Sequence, residues 1–281
     1  MIKLKDILLE IELGEAIVKV PQAALAKSKE AFNYIKQHLE HFKTQAPKDA
    51  NNPNIYPKFK DYFKLKDLKN QDVVISIGFY NDDKDAGAGR MNTVDNILLI
   101  NLAYLDPEDF PRFLEIVEHE LVHAIDPKVR DQKLLNKMYA TKGAEPAGSK
   151  INLSKSGGKS EFQNNIEKYY KSPWEFDAFT STLVNNIKFN FQKVQDINSK
   201  KTYRDLLNNL LSDIKTKSIE QIVTDEKYEK LPWFFSKQKW DAKNWDDISY
   251  IYKNELDKMK TWASEPKLYQ RFTKRLGTEL I

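Results

Sequence analysis

Cysteine is absent from this chain of 281 residues, and histidine occurs only four times. The protein can therefore form no disulfide bonds, and any zinc ion must be held by histidine and carboxylate side chains. With so few histidines, a metal site can use only a small number of positions, and the sequence can be searched for them directly.

The net charge is also small, and charged residues interrupt the apolar stretch at the start of the chain. The net charge is +4 against 45 basic and 41 acidic residues, which indicates a solvated lysine-rich surface and gives no reason to expect a nucleic-acid partner. In residues 1–12, charges interrupt the apolar side chains within every helical turn, a pattern that fits neither a signal peptide nor a membrane span. We therefore expect a protein without a membrane partner, cytoplasmic or packaged from the cell that makes it.

The remaining composition favours a folded core, with 41% hydrophobic and 12% aromatic residues. Alternation and β-branched content predict strands at 72–80 and 96–102, and helical periodicity recurs at 21–41, 203–225 and 244–278. These elements predict a predominantly helical α+β protein with a small sheet.

No internal repeat or clear linker divides the chain. We expect an N-terminal helical region at 1–70, a core at 71–195 and a C-terminal helical region at 196–281, together forming one compact unit. The segment 142–159 is rich in Gly, Ser and Lys and is expected to be either a lid or a disordered excursion. Four tryptophans are expected in the core of the C-terminal half: Trp233, Trp240, Trp245 and Trp262.

The sequence His119-Glu120-Leu121-Val122-His123 places two histidines four residues apart. On an α-helix this spacing directs His119 and His123 from one face, about 40° apart around the axis, so that both could bind one ion. Glu120 lies about 100° from His119, close enough to reach a water on that ion without being a ligand. The arrangement is typical of a zinc hydrolase.

Apolar residues surround this motif and indicate a buried helix. They are Phe110, Phe113, Leu114, Ile116, Val117, Leu121, Val122 and Ile125. Either Asp106-Pro107 or Asp109 followed by Pro111 provides a start signal, and Pro127 marks the end of the helix or a kink. The alternative is a pair of core histidines beside charged residues. A buried helix with two histidines and two glutamates needs a partner for its polarity, however, and a metal ion provides one.

A catalytic zinc ion usually has three protein ligands and one open position for water, so a carboxylate must complete the site. Glu175 is favoured, because Ser172 and Pro173 predict the start of a helix with Glu175 in its first turn. The alternative role of Glu175 is to stabilise the helix dipole. Asp126 lies on the same side of the motif helix, where one helix can hardly supply three ligands. We expect Asp126 instead to hold a ring N–H of His119 or to brace the helix end.

The other two histidines, His38 and His41, are three residues apart on a predicted helix and could share a metal ion. Glu40 and several nearby lysines favour exposed positions for both instead. We therefore do not assign them to the site.

Residues 72–187 resemble the gluzincins, thermolysin-like zinc peptidases in which a glutamate on a later helix completes His-Glu-x-x-His. Glu175 follows His123 by 52 residues (175 − 123). The block from His119 to Asp126 is similar to that of the anthrax lethal factor catalytic domain and of the Pro-Pro endopeptidases. The resemblance implies a zincin-like domain with the sheet packed on the metal-binding helix and one zinc ion held by His119, His123 and Glu175.

The resemblance also implies metal-assisted hydrolysis. Zinc acidifies water and polarises the scissile carbonyl, and Glu120 takes the proton and passes it to the leaving amine. A tyrosine shortly before the glutamate ligand steadies the oxyanion in these relatives. Tyr169 and Tyr170 precede Glu175 by six and five residues, and both stay candidates for that role.

In this class an extended peptide pairs with the edge strand beside the metal helix, and here that strand would be Asn96–Leu102. The expected substrate-binding residues are Ile97, Leu98, Leu99, Ile100 and Asn101. We therefore expect an endopeptidase that acts on extended polypeptide segments. The alternatives are a hydrolase of peptidoglycan or small peptides with the same metal site, and a non-catalytic, zinc-containing structural protein of a virion.

Residues 3–12 predict a short amphipathic helix, with Leu4, Ile7, Leu8 and Ile11 at helical spacing. The stretch 5–10, Lys-Asp-Ile-Leu-Leu-Glu, resembles the start of many tailed-bacteriophage proteins, which implies a bacteriophage origin and a location in the host cell or virion. The helix would either dock on its own domain or bind a phage or host protein.

Overall fold

A computed structural model of the chain describes residues 19–83, 88–126, 167–194, 196–228, 231 and 255–280. The chain divides into two compact units, Met1–Ala144 and Glu145–Ile281. Residues of the expected core at 71–195 therefore belong to both units. The predicted helix at 3–12, the segment 142–159 and three tryptophans lie outside the described residues: Trp233, Trp240 and Trp245.

The first unit is an α+β structure, as predicted. Its elements are α1 (Gln22–Gln37), α2 (Leu39–Gln45), β1 (Phe63–Lys66), β2 (Asp72–Tyr80), β3 (Gly89–Asn92), β4 (Ile97–Asn101) and α3 (Phe110–Ile125), with 3-10 turns at Pro57–Phe59 and Leu102–Tyr104. The two predicted strands are confirmed as β2 and β4. Two strands were not predicted: β1 lies in the region expected to be helical, and β3 follows the turn-rich segment after β2.

The four strands form one sheet in the order β1-β2-β4-β3. β2 and β4 run parallel, with Phe79 opposite Ile100, and β3 pairs with β4 in the antiparallel sense, with Gly89 opposite Ile100. β4 is therefore an inner strand. The prediction that Asn96–Leu102 forms the sheet edge beside the metal helix is wrong, because side chains that are apolar on both faces belong inside a sheet covered on both sides. Among the described strands, β3 forms that edge.

Helix α3 packs on the sheet and on α1. Its buried apolar side includes Phe113, Val117, Leu121 and Ala124. The helix begins as predicted, because the Asp109 carboxylate accepts a hydrogen bond from the backbone N–H of Arg112 at 2.9 Å and Pro111 occupies the first turn. It ends at Ile125, shortly before Pro127.

The second unit is helical in the part that the structure describes. Residues 167–171 are helical, followed by α4 (Pro173–Lys193), α5 (Ile197–Thr216), α6 (Ile219–Val223), a 3-10 turn at Glu226–Tyr228, α7 (Glu255–Ala263) and α8 (Pro266–Leu280). Phe176, Leu183, Leu207, Trp262 and Phe272 are among the buried residues of its core. The prediction of a core position is confirmed for Trp262.

The predicted helix at 203–225 is two helices, α5 and α6. The backbone N–H of Ser218 donates to the Gln221 side chain at 2.8 Å, and the backbone N–H of Gln221 donates to Ser218 Oγ at 3.3 Å. This reciprocal capping box starts a new helix at Ile219. Within the described residues, no helix is both long enough and apolar enough to cross a membrane.

Candidate metal centre

The two motif histidines lie side by side on α3. Their ring centroids are 4.8 Å apart with the planes at 87°, and the Nε2 atoms of His119 and His123 are 3.2 Å apart. His123 is buried, and His119 is half-buried. The predicted helix and its one-face placement of the two rings are both confirmed.

The distance between these nitrogens fits a shared metal ion. Two nitrogen ligands at about 2.0–2.1 Å from a tetrahedral zinc ion are separated by about 3.3 Å. The observed 3.2 Å agrees with that value. It also fits an N–H···N hydrogen bond in which one ring donates and the other accepts, according to the tautomer. The Nε2 atoms of both rings are therefore close enough to bind one ion.

Glu175 is the third member of the group. It lies in the first turn of α4, where Ser172 is the N-cap residue and Pro173 starts the helix, as predicted. Ser172 acts through its backbone, because its hydroxyl donates to the carbonyl of Tyr169 at 2.8 Å. Glu175 is buried, and one ligand atom from each of His119, His123 and Glu175 lies within 4.8 Å of the others. This His-His-Glu group could hold a metal ion, and no other group of its kind occurs among the described residues.

The donor atoms suit a divalent metal ion. Two imidazole nitrogens and one carboxylate oxygen are the ligand set of several zinc hydrolases, and three protein ligands leave one coordination position for water. Burial of two of the three side chains supplies the dry surroundings in which such a group acts.

Two other buried aspartates, one directly after α3 and one in α4, lie outside this group. Asp126 is fully buried directly after α3, where its backbone N–H donates to the carbonyl of Val122 at 2.9 Å. Asp177 forms an ion pair with Arg271 at 2.8 Å. Neither belongs to the His-His-Glu group. The role proposed for Asp126 beside the ligands stays a prediction.

Glu120 is buried on α3 and lies outside the ligand group, and its role as a general base stays a prediction. Strand β3 passes close to it. A β-carbon built on Gly89 would lie 3.5 Å from the Cγ atom of Glu120. The sheet edge and the predicted general base are therefore neighbours in the first unit.

The two candidate tyrosines differ in exposure. Tyr170 is fully buried, packs edge to face on Phe179 at 5.3 Å, and accepts a hydrogen bond at its backbone carbonyl from Nε1 of Trp262 at 3.0 Å. Tyr169 is half-buried and also packs on Phe179, at 5.6 Å. Of the two, only Tyr169 presents side-chain surface to solvent.

The remaining histidines do not join the group. His38 and His41 are exposed at the junction of α1 and α2, as predicted. His38 packs against Tyr34, with the ring centroids 4.4 Å apart and the planes tilted by 52°. Both positions are typical of surface histidines.

The residues of β4 cannot serve as a peptide-binding edge. Leu98, Leu99, Ile100 and Asn101 are buried, and the Asn101 amide donates to the carbonyl of Asp82 at 2.8 Å. Their expected role in substrate binding through a free backbone edge is therefore wrong, because the backbone of β4 is paired on both sides.

The sequence did contain a signal for β3. Asn92 accepts hydrogen bonds at its side-chain oxygen from the backbone N–H groups of Val94 and Asp95, and Asn96 has a positive φ of 54°. A polar turn of this composition directly before an apolar strand is typical of a β-hairpin. The hairpin places β3 on the open side of β4.

The chain matches no protein-family model, and comparison with curated proteins and with solved structures found no significant match. The chemistry of the site is therefore inferred from its own side chains and their geometry.

Proposed function

We propose that this protein is a zinc-dependent endopeptidase that hydrolyses peptide bonds in extended polypeptide segments. The observation that carries the proposal is the His119–His123 pair, with Nε2 atoms 3.2 Å apart and a buried Glu175 oxygen within 4.8 Å. A structural zinc site is normally closed by four protein ligands, whereas three ligands are typical of a hydrolytic site. The group as described supplies three.

When bound, a zinc ion would supply a Lewis acid that makes water more acidic and polarises a carbonyl group. Glu120 is the general base in this proposal. It takes the proton of the attacking water and delivers it to the nitrogen of the leaving amine. Its neighbouring position on the helix, about 100° from His119, lets its carboxylate reach the water while the two imidazoles face the ion.

Tyr169 is the proposed donor to the oxyanion. Its half-buried side chain retains access to solvent, and a phenol O–H can donate a hydrogen bond to the oxygen on which negative charge develops. Tyr170 is fully buried, and its backbone carbonyl accepts a hydrogen bond from Trp262 Nε1, so it is assigned a packing role.

Strand β3 is the proposed peptide-binding edge. It replaces the strand at 96–102 in this role, because β3 is the outermost strand on that side of the sheet among the described residues. A substrate in extended conformation can add a strand there through main-chain hydrogen bonds. Because Gly89 lies next to Glu120, a peptide on this edge would run past the general base.

The first test is metal content followed by cleavage. The protein is loaded with zinc, its zinc content is measured by mass spectrometry, and it is incubated with unfolded proteins, with the same proteins folded, and with purified peptidoglycan. The proposal predicts one zinc ion per chain and cleavage of the unfolded proteins, with none by a Glu120→Gln control prepared in parallel. That control excludes a contaminating protease.

Cleavage confined to peptidoglycan would overturn the endopeptidase proposal in favour of a cell-wall hydrolase. Stoichiometric zinc with no cleavage of any substrate would favour a non-catalytic zinc protein instead. Absence of zinc binding would overturn the metal site itself.

A further inference from the structure

Helix α8 holds α4 through two arginines one turn apart. Nη2 of Arg271 donates to Asp177 Oδ1 at 2.8 Å. Nη2 of Arg275 donates to Ser181 Oγ at 3.0 Å, and its Nη1 lies 3.5 Å from the backbone carbonyl of Asp177. We name the set Asp177, Ser181, Arg271 and Arg275 the arginine clamp.

Three of the four clamp residues are shielded from water, whereas the Arg271 side chain is 33% exposed. Asp177 is 3% exposed, Ser181 is fully buried and Arg275 is 6% exposed. Arg271 also lies over the Phe176 ring, with its guanidinium carbon 4.9 Å from the ring centroid. Charge-assisted hydrogen bonds are stronger and more directional than neutral ones, and burial protects them from competition by water. The clamp therefore holds α4 and α8 in a defined geometry and is more than a surface ion pair.

Helix periodicity places the arginine clamp on the side of α4 opposite Glu175, the proposed metal ligand. Asp177 and Ser181 lie about 40° apart around the axis, on one side of the helix, whereas Glu175 lies about 200° from Asp177. The arginines thus contact one side of α4, and Glu175 projects from the opposite side. A contact of this kind sets the rotation of the helix about its own axis.

Small rotations would matter to a metal ligand. A side-chain oxygen lies about 6 Å from the helix axis, so a rotation of about 20° would displace it by about 2 Å. Metal–ligand distances tolerate changes of about 0.2 Å. The ligand geometry of Glu175 is therefore sensitive to a contact that it does not itself make.

We infer that Arg271 and Arg275 are positioning residues for the metal ligand Glu175, so that metal affinity depends on the C-terminal helix α8. This inference rests on the proposed metal site. Residues that orient a ligand typically change metal affinity by about 10–100-fold when removed.

The structure offers a matched control on the same two helices. Lys188 of α4 and Glu279 of α8 form an ion pair at 2.7 Å, and Lys188 is as exposed as Arg271. This pair lies 13 residues beyond Glu175 (188 − 175), more than three turns away. It links α4 to α8 without touching the first turn of α4.

The experiment compares Arg271→Met with Lys188→Met in the full chain. The zinc dissociation constant is measured by chelator competition, and the unfolding midpoint is measured on the zinc-free protein. We expect Arg271→Met to weaken zinc binding by about 10-fold or more, and Lys188→Met to leave it unchanged at a similar cost in stability. Arg271→Lys keeps the charge but lacks the guanidinium fork, and should recover part of the affinity.

Asp177→Asn tests the clamp from the other side and covers the case in which Arg271→Met does not fold. It should weaken zinc binding, and adding Arg271→Met should weaken it little further, because the two residues act through one contact. Zinc affinities of Arg271→Met and Asp177→Asn equal to that of Lys188→Met would overturn the inference. If the unmodified protein binds no zinc, the metal site has failed, and that result is distinct from a failure of the clamp.

Discussion

Gly89 of β3 approaches Ile116 of α3 so closely that a β-carbon at position 89 would lie less than 3.0 Å from the Ile116 Cγ2 atom. The same β-carbon would lie 3.5 Å from Cγ of Glu120. The lack of a side chain at position 89 thus lets the sheet edge lie directly on the part of the helix that carries the proposed general base.

Gly89→Ala should therefore move β3 away from α3. We expect a loss of about 1–3 kcal/mol in the free energy of unfolding, because the added methyl group overpacks a close contact. Cleavage of an unfolded substrate should fall while zinc content is kept. Gly277→Ala is the control, since a β-carbon there meets no atom within 4 Å and alanine favours the helix by up to about 1 kcal/mol. Equal stability and activity of the two variants would contradict the proposed role of this contact.

Removing the carboxylate ligand should weaken metal binding and reduce stability together. Glu175→Ala leaves two ligands, so zinc content after dialysis should fall below one equivalent. The thermal midpoint in zinc should then approach that of the zinc-free protein, because binding to the folded state alone stabilises it. Mass spectrometry and calorimetry measure the two effects. If Glu175→Ala keeps full zinc content while Asp126→Ala loses it, the third ligand is Asp126.

Glu120→Gln should separate metal binding from turnover. Glutamine keeps the shape of the side chain but cannot accept the proton, so kcat should fall by about 10²–10⁴-fold or more while zinc stays near one equivalent. Steady-state cleavage of a fluorogenic peptide and zinc analysis of the same sample provide the comparison. Unchanged kcat would remove Glu120 from the mechanism.

The two tyrosines should respond differently to loss of the hydroxyl. Tyr169→Phe should lower kcat by about 10²–10³-fold, as for the loss of an oxyanion donor, with little change in stability. Tyr170→Phe removes a hydroxyl from a fully buried side chain and should lower the free energy of unfolding by about 1 kcal/mol. It should leave kcat nearly unchanged. Kinetics and urea unfolding of both variants are the measurements, and a larger kinetic effect at Tyr170 would reverse the assignment.

Asp213 should make the free energy of unfolding of the second unit depend on pH in the acidic range. Hydrogen bonds from Lys227, Lys217 and Tyr228 hold the pKa of its carboxyl well below the ordinary value. A group whose pKa is lowered by folding stabilises the folded state above its unfolded pKa, about 3.9, and loses that contribution as the pH falls toward its folded pKa. Asp213→Asn should therefore be less stable than the unmodified protein at pH 7, and the difference should shrink at about pH 3.

Urea unfolding at both pH values measures the Asp213 effect. Asp205→Asn, at an exposed position of the same helix, is the control and should show no such change. A pH-independent difference for Asp213→Asn would show that its hydrogen-bonding shape, and not its charge, is what stabilises the unit.

Patterns of neighbouring residues were sufficient to predict the helical parts of the site. Each of the patterns that predicted the site lies within a single helix. In α3 these are the His-Glu-x-x-His spacing and the aspartate and proline at its start, and in α4 the pattern is the Ser172-Pro173 start. Helix geometry converts such spacings directly into faces, so His119, His123 and the first-turn position of Glu175 could be predicted without any knowledge of distant contacts. The strands at β2 and β4 were found for the same reason, from their own residues.

Contacts between residues distant in the chain establish which of these elements are neighbours. The order β1-β2-β4-β3 turns the most apolar strand into an inner strand and makes the short segment Gly89–Asn92 the edge. Arg271, which is 94 residues from Asp177 in the chain, pairs with that carboxylate two residues after Glu175. Strand order and such pairings depend on contacts between residues far apart in the chain, and a local pattern of side chains does not specify them.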